Sequence, residues 1–483
     1  MGRHWTRRTV IRGSVASGRS QVIGSPEDTS NVKRNLSLLA LVSVIFFNVC
    51  GGPYALEPVL NAGPGLALLL IVVTPLLWGL PVALVCAELG TALPEEGGYY
   101  AWSKRSLGPF WAFCQGWWAW LFTIVDLVLY PKMFCQYLQF FAPEIGEEGN
   151  IWLHKGTMIV VIWAFVLFNM TGARTVGSFA KLFAVLIIAP FGLMALSGLF
   201  RAVAADWPYA PAQPLLNPGL TLPAALAASL PYALWNYQGW DAISTVAGEM
   251  DNPRRDYPRA LFIASVVIAA TYAIPAFVAL GYVGPEYEWD VGSWSVVAAQ
   301  IAGPWVGLCI SVMGMASALG LFFSLVLVYS RIPLVMAEDG YLPKILTTCN
   351  LYSAPTFSLL LCGTLYTAIV LIFNDFEELA EVDVTLFAAV MLLELASFLV
   401  LRWREPALPR PFRVPGGWPV AALVCALPVL CVSTSIYYRA SDSGAWPVLG
   451  KAAVMMASGP LLYPILSPRR RAAAANDPES PGE

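Results

Sequence analysis

Twelve apolar stretches recur along the 483-residue chain, and each is about as long as a helix needs to be to cross a lipid bilayer. The predicted spans cover residues 38–60, 65–89, 107–130, 158–170, 176–200, 223–248, 260–283, 306–336, 356–373, 384–401, 418–438 and 446–465. A further short helix is predicted outside the bilayer, within residues 284–304. The pattern therefore predicts an all-α membrane protein with 12 transmembrane helices.

The composition supports lipid as the surrounding solvent. Hydrophobic residues make up 58% of the chain and charged residues only 12%, whereas soluble domains carry about 25% charged residues. With a net charge of −3 and no basic patch, a nucleic-acid partner is not expected. His4 and His154 are the only histidines and the cysteines are scattered, so we expect no metal site, no cofactor and no enzyme activity.

The distribution of basic residues predicts how the chain is oriented. Lys and Arg concentrate in the N-terminal tail and in alternate loops, which by the positive-inside rule places both termini in the cytosol. Residues 1–36 lack the apolar core of a signal peptide and are predicted to form a disordered cytosolic tail, like residues 467–483. Residues 37–466 then form the transmembrane domain, which we expect in the plasma membrane.

Two of the predicted spans contain helix-breaking sequences. The first reads NVCGGPYALE at 48–57, where two glycines relax φ and a proline lacks a backbone donor, and the sixth reads LWNYQGWD at 234–241. Interruptions at corresponding positions of two halves are typical of inverted-repeat transporters, whose substrate site lies near the bilayer midplane. The alternative for each span is an ordinary kink in a packed helix.

Several charged and aromatic residues are predicted at membrane depth, where ionisable groups usually mark a function. The acids are Glu57, Asp126, Asp241 and Glu394, and the aromatic residues near the breaks are Phe47, Tyr54, Trp235, Tyr237 and Trp240. A carboxylate beside a cavity can hold an ammonium group or carry a proton, and aromatic rings can close over a cation. The alternatives are snorkelling or capping for the acids, pairing of Asp126 with Lys132, and packing for the aromatic residues.

Four motifs, in order, resemble the amino acid–polyamine–organocation (APC) superfamily of permeases, over essentially all twelve spans. They are AELGTALPEEGGYYAW at 87–102, GWDAISTVAGEMDNP at 239–253, SRIPLVMAEDGYLP at 330–343, and REP at 404–406 with RPFRVP at 410–415. The resemblance implies 5+5 inverted repeats with discontinuous helices 1 and 6, plus two extra helices.

The resemblance also implies a set of site residues. Backbone N–H groups at the first break would bind a substrate carboxylate, and carbonyl groups at the sixth would bind its ammonium group. Residues 50–54 and 235–239 match these two positions. Together with the acids and Trp240 singled out above, the candidate substrate-binding residues are Cys50, Gly51, Gly52, Tyr54, Glu57, Asp126, Trp235, Asn236, Tyr237, Gly239, Trp240 and Asp241. Lys181 matches a fifth-span lysine that, in proton-dependent and sodium-independent relatives, stands near the position where others hold sodium. The resemblance therefore favours proton coupling or exchange over coupling to sodium.

The substrate class stays open at this point. The segments DLVLYP at 126–131 and GWDAISTVAG at 239–248 are similar to plant polyamine–proton symporters, whereas LFFSLVLVYS at 321–330 lacks the acid of that group and is more similar to uncharacterised bacterial permeases. We therefore expect a secondary active transporter that takes up a polyamine or amino acid by alternating access, coupled to protons. The alternative is a sodium-independent neutral L-amino acid exchanger.

Overall fold

The computed structural model describes residues 38–93, 98–146, 150–171, 180–203, 214–240, 253–352, 354–441 and 445–467. Within these ranges the chain is helical and has no β-strand. The helices of the first half are α1 (Leu38–Val49), α2 (Glu57–Leu60), α3 (Pro64–Thr74), α4 (Leu80–Ala92), α5 (Tyr99–Ser106), α6 (Pro109–Leu138), α7 (Ile151–Asn169), α8 (Ala180–Val203) and α9 (Leu222–Asn236). Those of the second half are α10 (Pro253–Val283), α11 (Ser293–Ala302), α12 (Pro304–Tyr329), α13 (Arg331–Glu338), α14 (Thr356–Ile372), α15 (Phe376–Arg404), α16 (Gly417–Ala440) and α17 (Trp446–Leu466).

The helical class and the multi-pass character predicted from the sequence are confirmed. Among the described residues, 9 helices are long and apolar enough to cross a membrane. The other three predicted spans coincide with shorter helices: α1 with α2, α9, and α14. The short helix predicted within 284–304 is α11.

Helices α6 and α15 extend about two turns beyond the residues predicted for the third and tenth spans. The third span was predicted to cover at least 107–130, and α6 continues through Pro131 and Lys132 to Leu138. Lys132 lies inside the helix. Its Nζ donates a hydrogen bond to the carbonyl of Asn374, just beyond the C-terminus of α14. The tenth span was placed at 384–401, but α15 begins at Phe376, so residues before 384 lie within the helix.

Helix α6 is the central element of the bundle. It is 30 residues long, 89% of its most apolar 18-residue stretch is buried, and it packs against α5, α7, α12, α14, α15 and α17. A helix that is apolar on all sides is expected in such a position, because it has no face turned to the solvent. Residues on α6 therefore face several of the other spans.

Three of the four APC-like motifs meet at the end of the bundle where α6 begins. Glu88 of the first motif is buried and accepts hydrogen bonds from the Nε atom of Arg402, at 2.8 Å, and from the backbone N–H of Val414, at 2.8 Å. The guanidinium group of Arg410 lies 3.0 Å from the same carboxylate. Asp339 of the third motif pairs with Lys104 at 2.8 Å. Glu88 therefore links the second span to the tenth span and the loop that follows it, and Lys104 links α5 to the end of the eighth span.

Candidate functional site

The first break is a non-helical turn between α1 and α2. The N–H of Cys50 still donates to the carbonyl of Phe46, at 2.7 Å, but Gly52 has a φ of +95° and ends the helical path. Ala55, with a φ of +61°, is the one non-glycine residue in the left-handed region among those described. The chain becomes helical again at Glu57. The predicted interruption is therefore present.

Side chains from other helices satisfy the carbonyl groups that the break leaves unpaired. Three of these carbonyls accept hydrogen bonds: Gly51 from Ser317 at 2.7 Å, Pro53 from Trp294 at 2.7 Å, and Ala55 from Asn236 at 3.1 Å. Irregular backbone at membrane depth is stable only with such partners or beside a water-filled cavity. The break is thus tied to α12, α11 and α9.

The sixth predicted span breaks where α9 ends, at Asn236. Gly239 has a φ of +89°, and a Cβ added there would lie 2.4 Å from the carbonyl oxygen of Asn48, near the C-terminus of α1. Asn236 itself reaches back to the first break through its hydrogen bond to Ala55. The two breaks are therefore in direct contact, as a site shared between spans one and six requires.

Tyr237 and Trp240 turn toward the second span. The hydroxyl of Tyr237 donates to the carbonyl of Ile71 at 2.6 Å. The indole of Trp240 packs on Gly79, where an added Cβ would lie 2.6 Å from its Nε1, and this glycine ends a π-helical turn at Pro75–Gly79. Trp240 Nε1 also donates to the carbonyl of Tyr237 at 2.8 Å. These contacts fix the shape of the sixth break against its neighbour.

Glu57 is fully buried at the start of α2, and two donors hold one of its oxygens. Oε1 accepts from the hydroxyl of Tyr137, at 2.6 Å, and from the backbone N–H of Gly292, at 2.8 Å, whereas Oε2 has no hydrogen-bond partner among the described residues. Tyr54 packs edge-on against Tyr137, with ring centroids 5.1 Å apart. The carboxylate is thus oriented by the protein and keeps one free acceptor.

Asp126 lies near the middle of α6, beside the end of α9. Its Oδ1 accepts a hydrogen bond of 3.3 Å from the indole of Trp235, and the hydroxyl of Tyr130 lies 3.4 Å away. Trp235 in turn contacts the ring of Phe376, at the start of α15, with centroids 5.7 Å apart. These hydrogen bonds are longer than the usual 2.7–3.0 Å for a carboxylate. Asp126 therefore lies beside the aromatic side chains of Trp235 and Tyr130.

Asp383 is a buried acid beside Asp126 that the sequence analysis missed. It is fully buried in α15, neither carboxylate oxygen has a hydrogen-bond partner among the described residues, and it interacts electrostatically with Asp126. The predicted tenth span began one residue later, at 384. The pair Glu377 and Glu378 could have indicated that this helix begins before residue 384, because acids are favoured in the first turn of a helix. Asp383 would then have been placed inside the span.

Some predicted site residues lie outside the described residues. These are Asp241 and the side chains of Lys181 and Phe47, and their proposed roles remain predictions. Glu394, another of the acids predicted at membrane depth, is buried and accepts a hydrogen bond from the thiol of Cys86 at 3.7 Å.

Comparison with known proteins assigns the family. A family model described as amino acid permease matches residues 36–457. A probable polyamine transporter of Arabidopsis thaliana is 33% identical over 456 residues, covering 93% of this chain and 88% of the relative. The polyamine transporter PUT1 of Oryza sativa subsp. japonica is 34% identical over 400 residues, covering 82% of this chain and 72% of the relative.

A bacterial protein also matches. An uncharacterised transporter of Legionella pneumophila is 26% identical over 381 residues, covering 73% of this chain and 78% of the relative. The family match spans most of the chain, including both breaks. The protein therefore belongs to the amino acid permease family of the APC superfamily.

Proposed function

We propose that this permease is a secondary active transporter that takes up a polyamine or an amino acid by alternating access, coupled to protons. The observation that carries the proposal is the contact between the two breaks, where Gly239 lies against Asn48 and Asn236 binds Ala55. A transporter of this kind binds its substrate where the broken helices meet. The names of the plant relatives support the polyamine as the first candidate.

The proposed architecture has twelve spans, ten of them in two inverted repeats of five. Support comes from contacts between spans five apart: α2 with α9, α3 with α10, α6 with α12, and α7 with α14. These pairs join the first and sixth, second and seventh, third and eighth, and fourth and ninth spans. Such pairing is the arrangement expected when two repeats pack around a shared site.

In the proposed mechanism, the residues at and beside the breaks bind the substrate. Glu57 offers the free Oε2 to a cationic group, and Asp126 and Asp241 are further candidates for this contact. Backbone groups at 50–54 and 235–239 would bind the remaining polar groups of the substrate. Lys181 would tune the opening of the site by its charge. Both termini are placed in the cytosol, and the protein in the plasma membrane, because of the Lys and Arg distribution.

Uptake by proteoliposomes tests this function. Purified protein would be assayed with labelled putrescine, spermidine and a panel of amino acids, with and without an inward proton gradient. Gradient-driven uptake of one of these solutes supports the proposal, whereas uptake of none contradicts it. Exchange that is stimulated by internal neutral amino acids and does not respond to the gradient would favour the second candidate, a sodium-independent L-amino acid exchanger.

A further inference from the structure

Asp383 is a carboxylate in the interior of the bundle, with neither oxygen in a regular hydrogen bond to the part of the chain that the structure describes. It lies seven residues, about two turns, after Phe376 at the start of α15, on the same side of the helix. Both of its oxygens are buried and neither has a hydrogen-bond partner among the described residues. An ionised carboxylate is costly in such a place unless something neutralises it. The site therefore calls for a positively charged or protonated group.

A second carboxylate and the amide of Gln238 face the same point. The charges of Asp383 and Asp126 interact across the contact between α15 and α6, and Tyr130 lies near both. Gln238, at the sixth break, lies against Asp383, and its side chain is 8% exposed. Two acids and an amide from three different elements thus converge.

The surroundings favour an organic cation as the neutralising group. The ring of Tyr130 lies 6.3 Å from that of Trp235, whose edge faces Phe376, and Tyr366 of α14 also lies close to Asp126. Aromatic rings attract an ammonium group and shield its alkyl chain from water. The hydrogen bonds from Trp235 and Tyr130 to Asp126 are 3.3–3.5 Å long, so a closer donor can replace these two. A primary ammonium group supplies three donors, which suits two carboxylates.

We propose that Asp126 and Asp383 together bind one terminal ammonium group of an aliphatic polyamine substrate. The inference rests on the proposed function and specifies its substrate class. Two buried carboxylates make this site selective for a cationic chain end over the apolar side chain of a neutral amino acid, because such a side chain leaves both charges unneutralised. In this chain Asp383 then favours a polyamine over a neutral amino acid.

Ligand binding to the purified protein tests the pair directly. Spermidine and leucine would each be titrated into detergent-solubilised wild type, Asp383→Asn, Asp383→Glu and the control Glu394→Gln. The readouts are equilibrium binding of labelled ligand and the shift in melting temperature relative to each ligand-free protein, since binding to the native state stabilises it. Glu394 is a matched control because it is equally buried in α15 but is bonded to Cys86.

We expect spermidine to bind wild type and Glu394→Gln with similar affinity, and Asp383→Asn at least tenfold more weakly. Asp383→Glu keeps the charge, so it should retain ligand-induced stabilisation even if its affinity drops. Should the Asn variant not fold, a stabilisation of Asp383→Glu by spermidine but not by leucine supports the pair. If Asp383→Asn binds spermidine with an affinity within twofold of the wild-type value, the proposed ammonium site is overturned. The two acids would then be interpreted as a structural pair that shares a proton.

The failure of this inference is distinguishable from failure of the proposed function. If wild type binds and transports leucine but not spermidine, a permease function stands and the polyamine pocket is wrong. If wild type transports spermidine and Asp383→Asn transports it equally well, the function stands and the assignment of Asp383 is wrong. If wild type transports none of the tested solutes, both are contradicted.

Discussion

The hydroxyl group of Tyr137 donates a hydrogen bond of 2.6 Å to Oε1 of Glu57, which joins the third span to the segment that follows the first break. The same oxygen accepts from the N–H of Gly292, the residue that precedes α11. One carboxylate oxygen thus links three elements: α2, α6 and the approach to α11. This link holds the segment after the first break against the rest of the bundle.

Tyr137→Phe removes one of the two donors to Glu57 while keeping the aromatic ring. Hydrogen bonds to charged groups contribute about 1.5–3 kcal/mol, so we expect a lower melting temperature in detergent and reduced uptake. Glu57→Gln keeps an oxygen acceptor but removes the charge, and the double variant should lose less than the sum of the two single losses. Additive losses would show that the two side chains do not act together.

Gly239→Ala tests the contact between the two breaks. The new Cβ would lie 2.4 Å from the carbonyl oxygen of Asn48, and the φ of +89° already disfavours any side chain. We expect loss of uptake and a lower melting temperature, because the two breaks must move apart. The measurement is uptake of the best substrate together with thermal stability of the purified variant.

Gly219→Ala is the matched control for this substitution. Gly219 also has a positive φ, +83°, but an added Cβ there would meet no atom within 4 Å. It should therefore show only the backbone cost of roughly 1–2 kcal/mol. If Gly239→Ala and Gly219→Ala reduced uptake equally, the close approach of Gly239 to Asn48 would not matter for transport.

Glu88→Ala tests the buried ion pairs that Glu88 forms with Arg402 and Arg410. The substitution would leave the buried guanidinium of Arg402 without its acid, and removing one member of a buried ion pair costs about 3–5 kcal/mol. We expect a large drop in melting temperature and in the yield of monodisperse protein. Double substitution with Arg402→Met should recover part of the loss, since it also removes the unpaired charge. A double variant that is less stable than Glu88→Ala alone would contradict this account.

The ion pair of Arg105 and Glu405 is the exposed counterpart of these buried pairs. The hydrogen bond from Arg105 lowers the pKa of Glu405, so the stabilisation is complete above the ordinary glutamate range and is lost as the pH falls below it. Solvent screens the pair, so Glu405→Gln should cost under about 1 kcal/mol. A loss of stability as large as that of Glu88→Ala would show that solvent exposure does not explain the different strengths of the two ion pairs.

Much of the fold could be predicted because the apolar stretches have the length of a bilayer crossing. The spans at 260–283 and 418–438 end within a few residues of α10 and α16, since polar residues or turns follow them. Breaks could be located because glycine and proline act on the backbone of their own segment. The ends of α6 and α15 were harder to locate, because charged residues such as Lys132 and Asp383 lie inside these helices.

The contacts of the candidate site could not be predicted, because they join residues far apart in the chain. Nothing in the local sequence pairs Glu88 with Arg402, or Asp383 with Asp126. The resemblance to plant polyamine–proton symporters raised the expectation of an acid in span eight, where this chain has apolar residues such as Leu321. The structure has an acid, Asp383, near Asp126 in the tenth span instead, and the proposed polyamine site depends on this acid.

Trp235→Phe separates packing from hydrogen bonding beside Asp126. Phenylalanine keeps an aromatic ring against Phe376 and Tyr130. It removes the indole N–H, which donates a hydrogen bond of 3.3 Å to Oδ1 of Asp126. Because this hydrogen bond is long, its loss should change the affinity for spermidine less than fivefold, whereas Trp235→Ala, which also removes the ring, should reduce it at least tenfold. Equilibrium binding of labelled spermidine measures both variants. If Trp235→Phe weakened binding as much as Trp235→Ala does, the indole N–H rather than the aromatic face would be the group that serves the substrate.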